Sequence, residues 1–307
     1  MNLKLIRSRP ITIAIVATGI AAAMGGYIWR LESRPPIMEM HLFSLSKGQS
    51  ALVRTPTDKR VLINGGGNSE IIRHLTSVLP FYSRRIDFII LTSPEKNNVS
   101  GLIDIVERYE VGRVYIPSVT LQSLGISSTT DRIYETFLTT LKRRMVPLQE
   151  ISLGDDLEFD LSVSAKILFP EYPMEFAYSK TSHPLIIPYI IYGDTGVLLL
   201  GDATRKIQKY ISTSSKDRFL PKEDSRNRIL VISHGGRIED MSTELMDLFG
   251  AGYLIYSKSV TGSSGISPVA RSGTDLFSNI RGTRRYNLKQ ENKITIVSDG
   301  KKMELTI

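Results

Sequence analysis

Short apolar runs of strand length recur from Met38 to the C-terminus, gathered into hairpin-like sets at both ends with helical stretches between. MEMHLFSL, SALVRTP and RVLING, within residues 38–65, read as three successive strands joined by turn residues. LEFDLSVSAKILFP (157–170) reads as a hairpin, and ENKITIVSDGKKMELTI (291–307) as another with Asp299-Gly300 at its turn. DFIILTS (87–93) and RILVISHGG (228–236) are apolar without alternation, the pattern of strands covered on both faces. GRVYIP, PLIIPYIIYG, GVLLLGD and AGYLIYS supply further strands. Helical periodicity falls over 69–80, 99–109, 130–145, 239–249 and 267–281, while 170–185 and 212–228 have loop composition. Antiparallel sets at both ends favour stacked mixed sheets over a simple doubly wound parallel sheet. The pattern predicts an α/β fold of two stacked mixed sheets flanked by helices.

Composition supports a large core. Of 307 residues, 41% are hydrophobic and 23% charged, which excludes a disordered chain. The absence of cysteine excludes a disulfide partner and any thiolate metal site. Net charge is +8, and half of it sits in residues 1–34, where Lys4, Arg7, Arg9, Arg30 and Arg34 face Glu32. The rest of the chain is only mildly basic, more a solubility feature than a nucleic-acid footprint.

Between Arg9 and Arg30 no residue is charged. Twenty helical residues reach about 30 Å, the thickness of a hydrocarbon core. Tyr27 and Trp29 stand at the far end, where amphipathic rings favour the interface. The expected organisation is a cytoplasmic N-terminus (1–9), a transmembrane anchor (10–29), a stiff linker (30–37) around Arg34-Pro35-Pro36, and one domain (38–307). The positive-inside tendency places that domain outside a bacterial-type cell membrane, in a single-pass arrangement. The competing reading is a cleaved signal with Ala21-Ala22-Ala23 as its small-residue site; the apolar run continues past it to Trp29.

The succession LSKGQSALVRTP, VLINGGG, DFIILTSPEKNNVSGL, VLLLGDAT, ILVISHGG and ITIVSDG resembles the metallo-β-lactamase-like domain of the DNA-uptake competence family (ComEC type). The resemblance covers nearly everything after Met38 and implies an αββα sandwich. It also implies a site, and much of that site is replaced. The family's H-x-H-x-D-H loop, which supplies zinc ligands and a water-orienting carboxylate, corresponds to Ser93, Glu95, Asn97 and Asn98. The acidic turn of the family appears as Ser44 to Ser50 without its carboxylates, and the aspartate before the glycine pair is Asn64. Asp202 matches a metal-bridging carboxylate. His234 matches the second histidine of a His-His-Gly-Ser motif, whose first position is Ser233.

Zinc activates water when about three good ligands hold it and one position stays open. Asn and Ser are weak neutral ligands, and Lys96 adds positive charge. Glu95, Asp202 and His234 remain as a poor three-ligand set for zinc or manganese. Simpler roles stand beside these: Asp202 as the cap of a helix beginning near Ala203, and His234 as a hydrogen-bonded loop residue. His41, His74 and His183 show no ligand spacing, and Asn64-Gly65-Gly66-Gly67 lacks the lysine of a P-loop. Lys142, Arg143 and Arg144, with Arg281, Arg284 and Arg285, are the candidates for phosphate contact.

Three functions follow as expectations. The first is a catalytically inactive, membrane-anchored binding or scaffold module with no cofactor, partnered by the membrane and by nucleic acid or a competence channel. The second is a metal-dependent hydrolase of nuclease or phosphodiesterase type with a remodelled site. The third is DNA binding through the basic clusters without cleavage.

Overall fold

A computed structural model describes residues 16–20, 22, 24–25, 36–118, 129–170, 184–219, 225–232, 241–257 and 283–307. The chain divides into two compact units, Met1–Pro36 and Ile37–Ile307. In the first, residues 16–20, 22, 24 and 25 are helical, with Val16, Ile20 and Met24 exposed. No helix among the described residues is long and apolar enough to cross a membrane.

The second unit contains, in chain order, β1 (Met38–Ser44), β2 (Gln49–Arg54), β3 (Arg60–Ile63), α1 (Glu70–Val78), β4 (Arg85–Ile90), α2 (Lys96–Arg108), β5 (Glu110–Pro117), α3 (Thr129–Arg143) and β6 (Leu148–Ile151). There follow β7 (Asp156–Glu158), β8 (Val163–Ile167), β9 (Pro188–Tyr192), β10 (Thr195–Leu199), α4 (Arg205–Ser214), β11 (Arg228–Ile232) and α5 (Thr243–Phe249). The last elements are β12 (Tyr253–Tyr256), β13 (Arg284–Asn287), α6 (Leu288–Glu291), β14 (Lys293–Ser298) and β15 (Met303–Thr306).

One sheet runs β15-β14-β1-β2-β3-β4-β5-β6, the other β13-β12-β11-β10-β9-β8-β7. Both are mixed. β14, β1, β2 and β3 pair antiparallel, whereas β3 to β6 pair parallel, in register at Leu62↔Ile89 and Val114↔Leu148. In the other sheet β7 to β10 are antiparallel and β10 to β13 parallel. Alternation along the strands sends side chains to two cores at once. Met40, Val53, Ile63, Ile190, Val197 and Val231 meet between the sheets. On the outer face of the first sheet, Phe43, Leu52 and Leu62 pack with Leu102, Ile105 and Phe137 of the helices. Leu198, Leu230 and Leu254 do the same with Ile211, Leu245 and Phe249 on the other side. The result is four layers, helix–sheet–sheet–helix, as expected.

The parallel strands define two poles. β1, β3, β4, β5 and β6 run the same way, so their C-terminal ends share one pole and their N-terminal ends the other. At the N-terminal pole the sheets are tied together. Asp194 N–H donates to Gly300 O at 2.7 Å, and Thr57 Oγ1 donates to Asp160 Oδ2 at 2.8 Å. Burial works to raise the Asp160 carboxyl, but hydrogen bonds from Thr55, from the Ser162 and Val163 amides and from Thr57 outweigh it and hold the group well below the usual carboxylate range. A depressed folded-state pKa contributes stability that is complete above about pH 4 and is lost as pH falls below it. Asp160→Ala is therefore expected to cost about 1–2 kcal/mol at pH 7, the partial exposure reducing the fully buried value. In denaturant titrations at pH 7 and pH 3, the gap between variant and wild type should narrow at the lower pH.

Several boundaries differ from expectation. Strand β6 has only Ile151 buried, and β13 opens with two exposed arginines. Both are edge strands, held by one neighbour each, and carry no apolar run. Residues 212–214 are the last turn of α4 rather than loop, followed by 3₁₀ turns at Lys216–Arg218 and Ser225–Asn227. The helix expected at 130–145 ends at Arg143, because Met145 takes φ 53°. Helix α5 starts at Thr243, where Ser242 Oγ accepts from the Leu245 amide. The helix expected at 267–281 lies outside the described residues.

Candidate functional site

The C-terminal pole gathers the loops after β1, β3, β4 and β10, where ligands of open α/β sheets usually bind. Here the loop after β4 runs Leu91-Thr92-Ser93-Pro94-Glu95 into α2. Ser93 is buried, and its Oγ accepts from Asn98 Nδ2 at 3.0 Å and from the Glu95 amide at 3.4 Å. Two of the four candidate positions in this loop are thus bonded to each other. Glu95 is the N-cap residue of α2 but makes no side-chain capping bond, and Asn97 is exposed beside it.

Asn64 is held just as firmly. Its φ is 59°, a left-handed conformation that Asn tolerates better than most residues. Its Oδ1 accepts from the Thr92 amide at 2.9 Å and lies 3.0 Å from Thr92 Oγ1, while Nδ2 donates to that hydroxyl at 2.8 Å. Ser50 Oγ donates to Asn64 O at 2.8 Å. Asn64 and Thr92 therefore lock the ends of β3 and β4 together as a neutral pair.

The glycine loop after Asn64 serves packing. Gly65 N–H donates to Asn98 O at 2.8 Å, Gly67 N–H donates to Lys47 O at 2.8 Å, and Gly66 O accepts from the Gly101 amide at 3.0 Å. These groups are consumed within the fold and form no phosphate cradle. The turn at 44–50 is fastened by Lys289 Nζ to Leu45 O at 2.9 Å and by the Ser46 amide to Glu70 Oε2 at 2.8 Å. Burial works to raise Glu70, but those Ser46 bonds, with His74 and Arg73 nearby, hold it below its usual value.

Where the two sheets meet at this pole lies a cavity of about 30 Å³, room for roughly one water. Ser50, Asn64, Thr92 and Gln49 supply its polar lining, and Leu42, Leu199, Val231 and Leu288 much of the rest. Every lining side chain is neutral. Asp202 sits half-buried after β10, following Gly201 with φ 53°. It does not cap α4: Thr204 does, its hydroxyl accepting from the Ile207 amide. The cap falls two residues later because Asp202 still belongs to the turn leaving β10.

Ser233 and His234 lie outside the described residues, as does His183. Of the expected set Glu95, Asp202 and His234, two are therefore placed. Among the described residues no group of three His, Asp or Glu side chains converges. Neutral Asn, Ser and Thr groups already engaged in these hydrogen bonds are poor ligands for a divalent cation, so the described residues do not fit zinc or manganese. Burial lowers both His41 and His74, keeping them neutral near pH 7. His41 Nδ1 pairs with Thr295 Oγ1 at 3.1 Å, and the His74 ring lies 5.1 Å from that of Phe43.

The basic candidates fall elsewhere. Lys142 and Arg143 end α3, with Arg144 just after it, at the N-terminal pole of the first sheet, while Arg284 and Arg285 lie on the edge strand β13 of the second. Arg281 is outside the described residues. Thr92 and Gln49, which close the cavity, were not anticipated; Thr92 follows a strand whose apolar run masks it.

Neither a protein-family model nor a curated protein matches the sequence. Solved structures do. A variant of the CmlA β-hydroxylase matches with TM-score 0.50 and 16% identity over 83% of this chain and 53% of that one, so the chain spans about half its length. Unliganded yeast PDE1 matches with TM-score 0.48 and 10% identity over 84% and 99% of the two chains. Zn(2+)-bound PqqB from Methylobacterium extorquens matches with TM-score 0.38 and 16% identity over 67% and 61%. These are metallo-β-lactamase-fold proteins, and the chain shares that fold.

Proposed function

We propose that the protein is a membrane-anchored, non-hydrolytic binding module of the metallo-β-lactamase fold, related to the competence family. The observation that carries this reading is the neutral lining of the cavity at the C-terminal pole. Of the expected site positions, Asn64 is bonded to Thr92, and Ser93 and Asn98 are bonded to each other. An activated water needs a charged or strongly donating ligand set, and these pairs offer none. The uncharged run 10–29, with its basic N-terminal flank, supports the anchor, a cytoplasmic N-terminus and an outward domain. The motif succession supports a partner in DNA uptake or the cell envelope.

The test is metal titration of the purified full chain with zinc and manganese, followed by nuclease and phosphodiesterase assays. The expected result is no stoichiometric ion, affinity no tighter than about 1 mM, and hydrolysis at background with or without metal. One or two ions bound per chain, lost together with activity in Asp202→Ala and His234→Ala, would overturn it in favour of a remodelled hydrolase.

A further inference from the structure

The N-terminal pole, opposite the candidate site, carries a groove of about 690 Å³ between the loop before β4 and the C-terminal ends of α2 and α3. Arg84, Arg85, Arg108, Arg143 and Arg144 line it, against one acidic lining residue, Glu110. Arg85 is engaged by Asp87 and Glu110, and Arg143 by Glu107. Arg84 and Arg108 have no carboxylate partner among the described residues. Arg108 and Arg143 also suit the negative ends of their helices. That role does not account for Arg84, nor for what stands at the lip.

Phe81, Tyr82 and Met145 are 93%, 76% and 87% exposed there. Ile37 and Leu148 are exposed at the same pole, as is Leu161 in the β7–β8 turn beside the Thr57–Asp160 tie. Of the large apolar side chains exposed on this unit, among the described residues only Ile307, at the end of β15, belongs to the other pole. Exposed apolar groups collected at one end, with the arginines of the groove beside Tyr82 and Met145, mark an interaction surface. The first strand also begins here, at Met38, so a membrane-embedded upstream segment would be tethered to this pole.

We propose that this pole docks on the anionic headgroup surface of the membrane, a reading that rests on the proposed anchor. The arginines meet lipid phosphates, and Phe81, Tyr82 and Met145 enter the boundary between headgroups and acyl chains. A nucleic-acid strand fits less well. Ile37, Leu148 and Leu161 present no ring to stack a base on. Phe81 and Tyr82 pack edge-to-face on each other, with ring centroids 5.4 Å apart, rather than as parallel platforms.

The chain has no cysteine, so Tyr82→Cys in the full-length protein takes one environment-sensitive fluorophore. The labelled chain is inserted into vesicles of phosphatidylcholine alone and of phosphatidylcholine with phosphatidylglycerol. Docking predicts a blue shift in the anionic vesicles, reversed by high salt, while a label at Ile307→Cys stays aqueous. Arg84→Gln and Arg108→Gln should each lower the docked-to-free ratio about fivefold. Identical spectra in the two vesicles, or equal shifts at both labels, would overturn the proposal. So would a single-stranded oligonucleotide that shifts the Tyr82→Cys label when anionic lipid does not. An alkaline carbonate wash separates the two readings. A retained chain with an aqueous label sinks docking alone, whereas a released chain sinks the anchor and the tether with it.

Discussion

Gly101→Ala is expected to destabilise the protein by about 3 kcal/mol, although alanine is the better helix former by roughly 1 kcal/mol. Gly101 lies in the middle of α2, where propensity alone predicts a gain. A Cβ there would stand 2.0 Å from Gly65 O and 2.6 Å from Asn68 O, both backbone atoms. The opposing contact is as tight, since a Cβ on Gly65 would meet Leu102 N at 2.5 Å. Neither side can yield by rotating a side chain, so α2 would have to lift from the glycine loop. That movement would break the bonds from Gly65 N–H to Asn98 O and from Gly101 N–H to Gly66 O. Denaturant midpoints of Gly101→Ala and of the neighbouring Ser100→Ala check this directly. If Gly101→Ala proves as stable as wild type, the helix does not sit against the loop as described. The consequence reaches the site, because the same contact seats Asn98 beside Ser93.

Phe137→Ala is expected to cost about 4 kcal/mol, the usual range for deleting a buried aromatic ring without refilling the space. Phe137 is fully buried in α3 and belongs to the core formed with Ile105, Val106 and Val114. It is a main anchor of α3 on the first sheet, and α3 carries Arg143 and places Arg144 and Met145 at the basic groove. Unfolding monitored by denaturant should show the loss at an unchanged denaturant slope. A cost below about 1 kcal/mol would mean that the helix is not seated there. Phe137→Leu, which keeps most of the volume, should recover much of the difference.

Much of the architecture was legible because burial on both faces leaves its mark in composition. β11 after Arg228 and the C-terminal halves of β4 and β10 are runs of apolar residues, and each strand is interior. β4 and β11 are parallel to both neighbours, whereas β10 is parallel to β11 and antiparallel to β9. The Asp299-Gly300 turn was legible for a local reason: Gly300 takes φ 85°, and Asp299 Oδ1 accepts from the amides of Lys301 and Lys302. Edge strands β6 and β13 left no such mark, since half or more of each faces solvent. The cap of α4 was misplaced by two residues, because Asp202 and Thr204 are both good caps and only backbone geometry chooses Thr204.

At the candidate site the division is sharper. That Ser93, Asn97, Asn98 and Asn64 are neutral is a property of residue identity, and the sequence alone determined it. What those residues do is a matter of distance. Asn64 with Thr92, and Ser93 with Asn98, close on each other only because the ends of β3 and β4 and the first turn of α2 are brought within hydrogen-bond reach. The basic groove is more clearly still a tertiary product. Arg84, Arg108 and Arg144 are scattered along the chain and become neighbours because parallel strands and antiparallel helices return all three segments to one pole. Chemical character is carried by single residues, whereas convergence depends on the path of the chain between them.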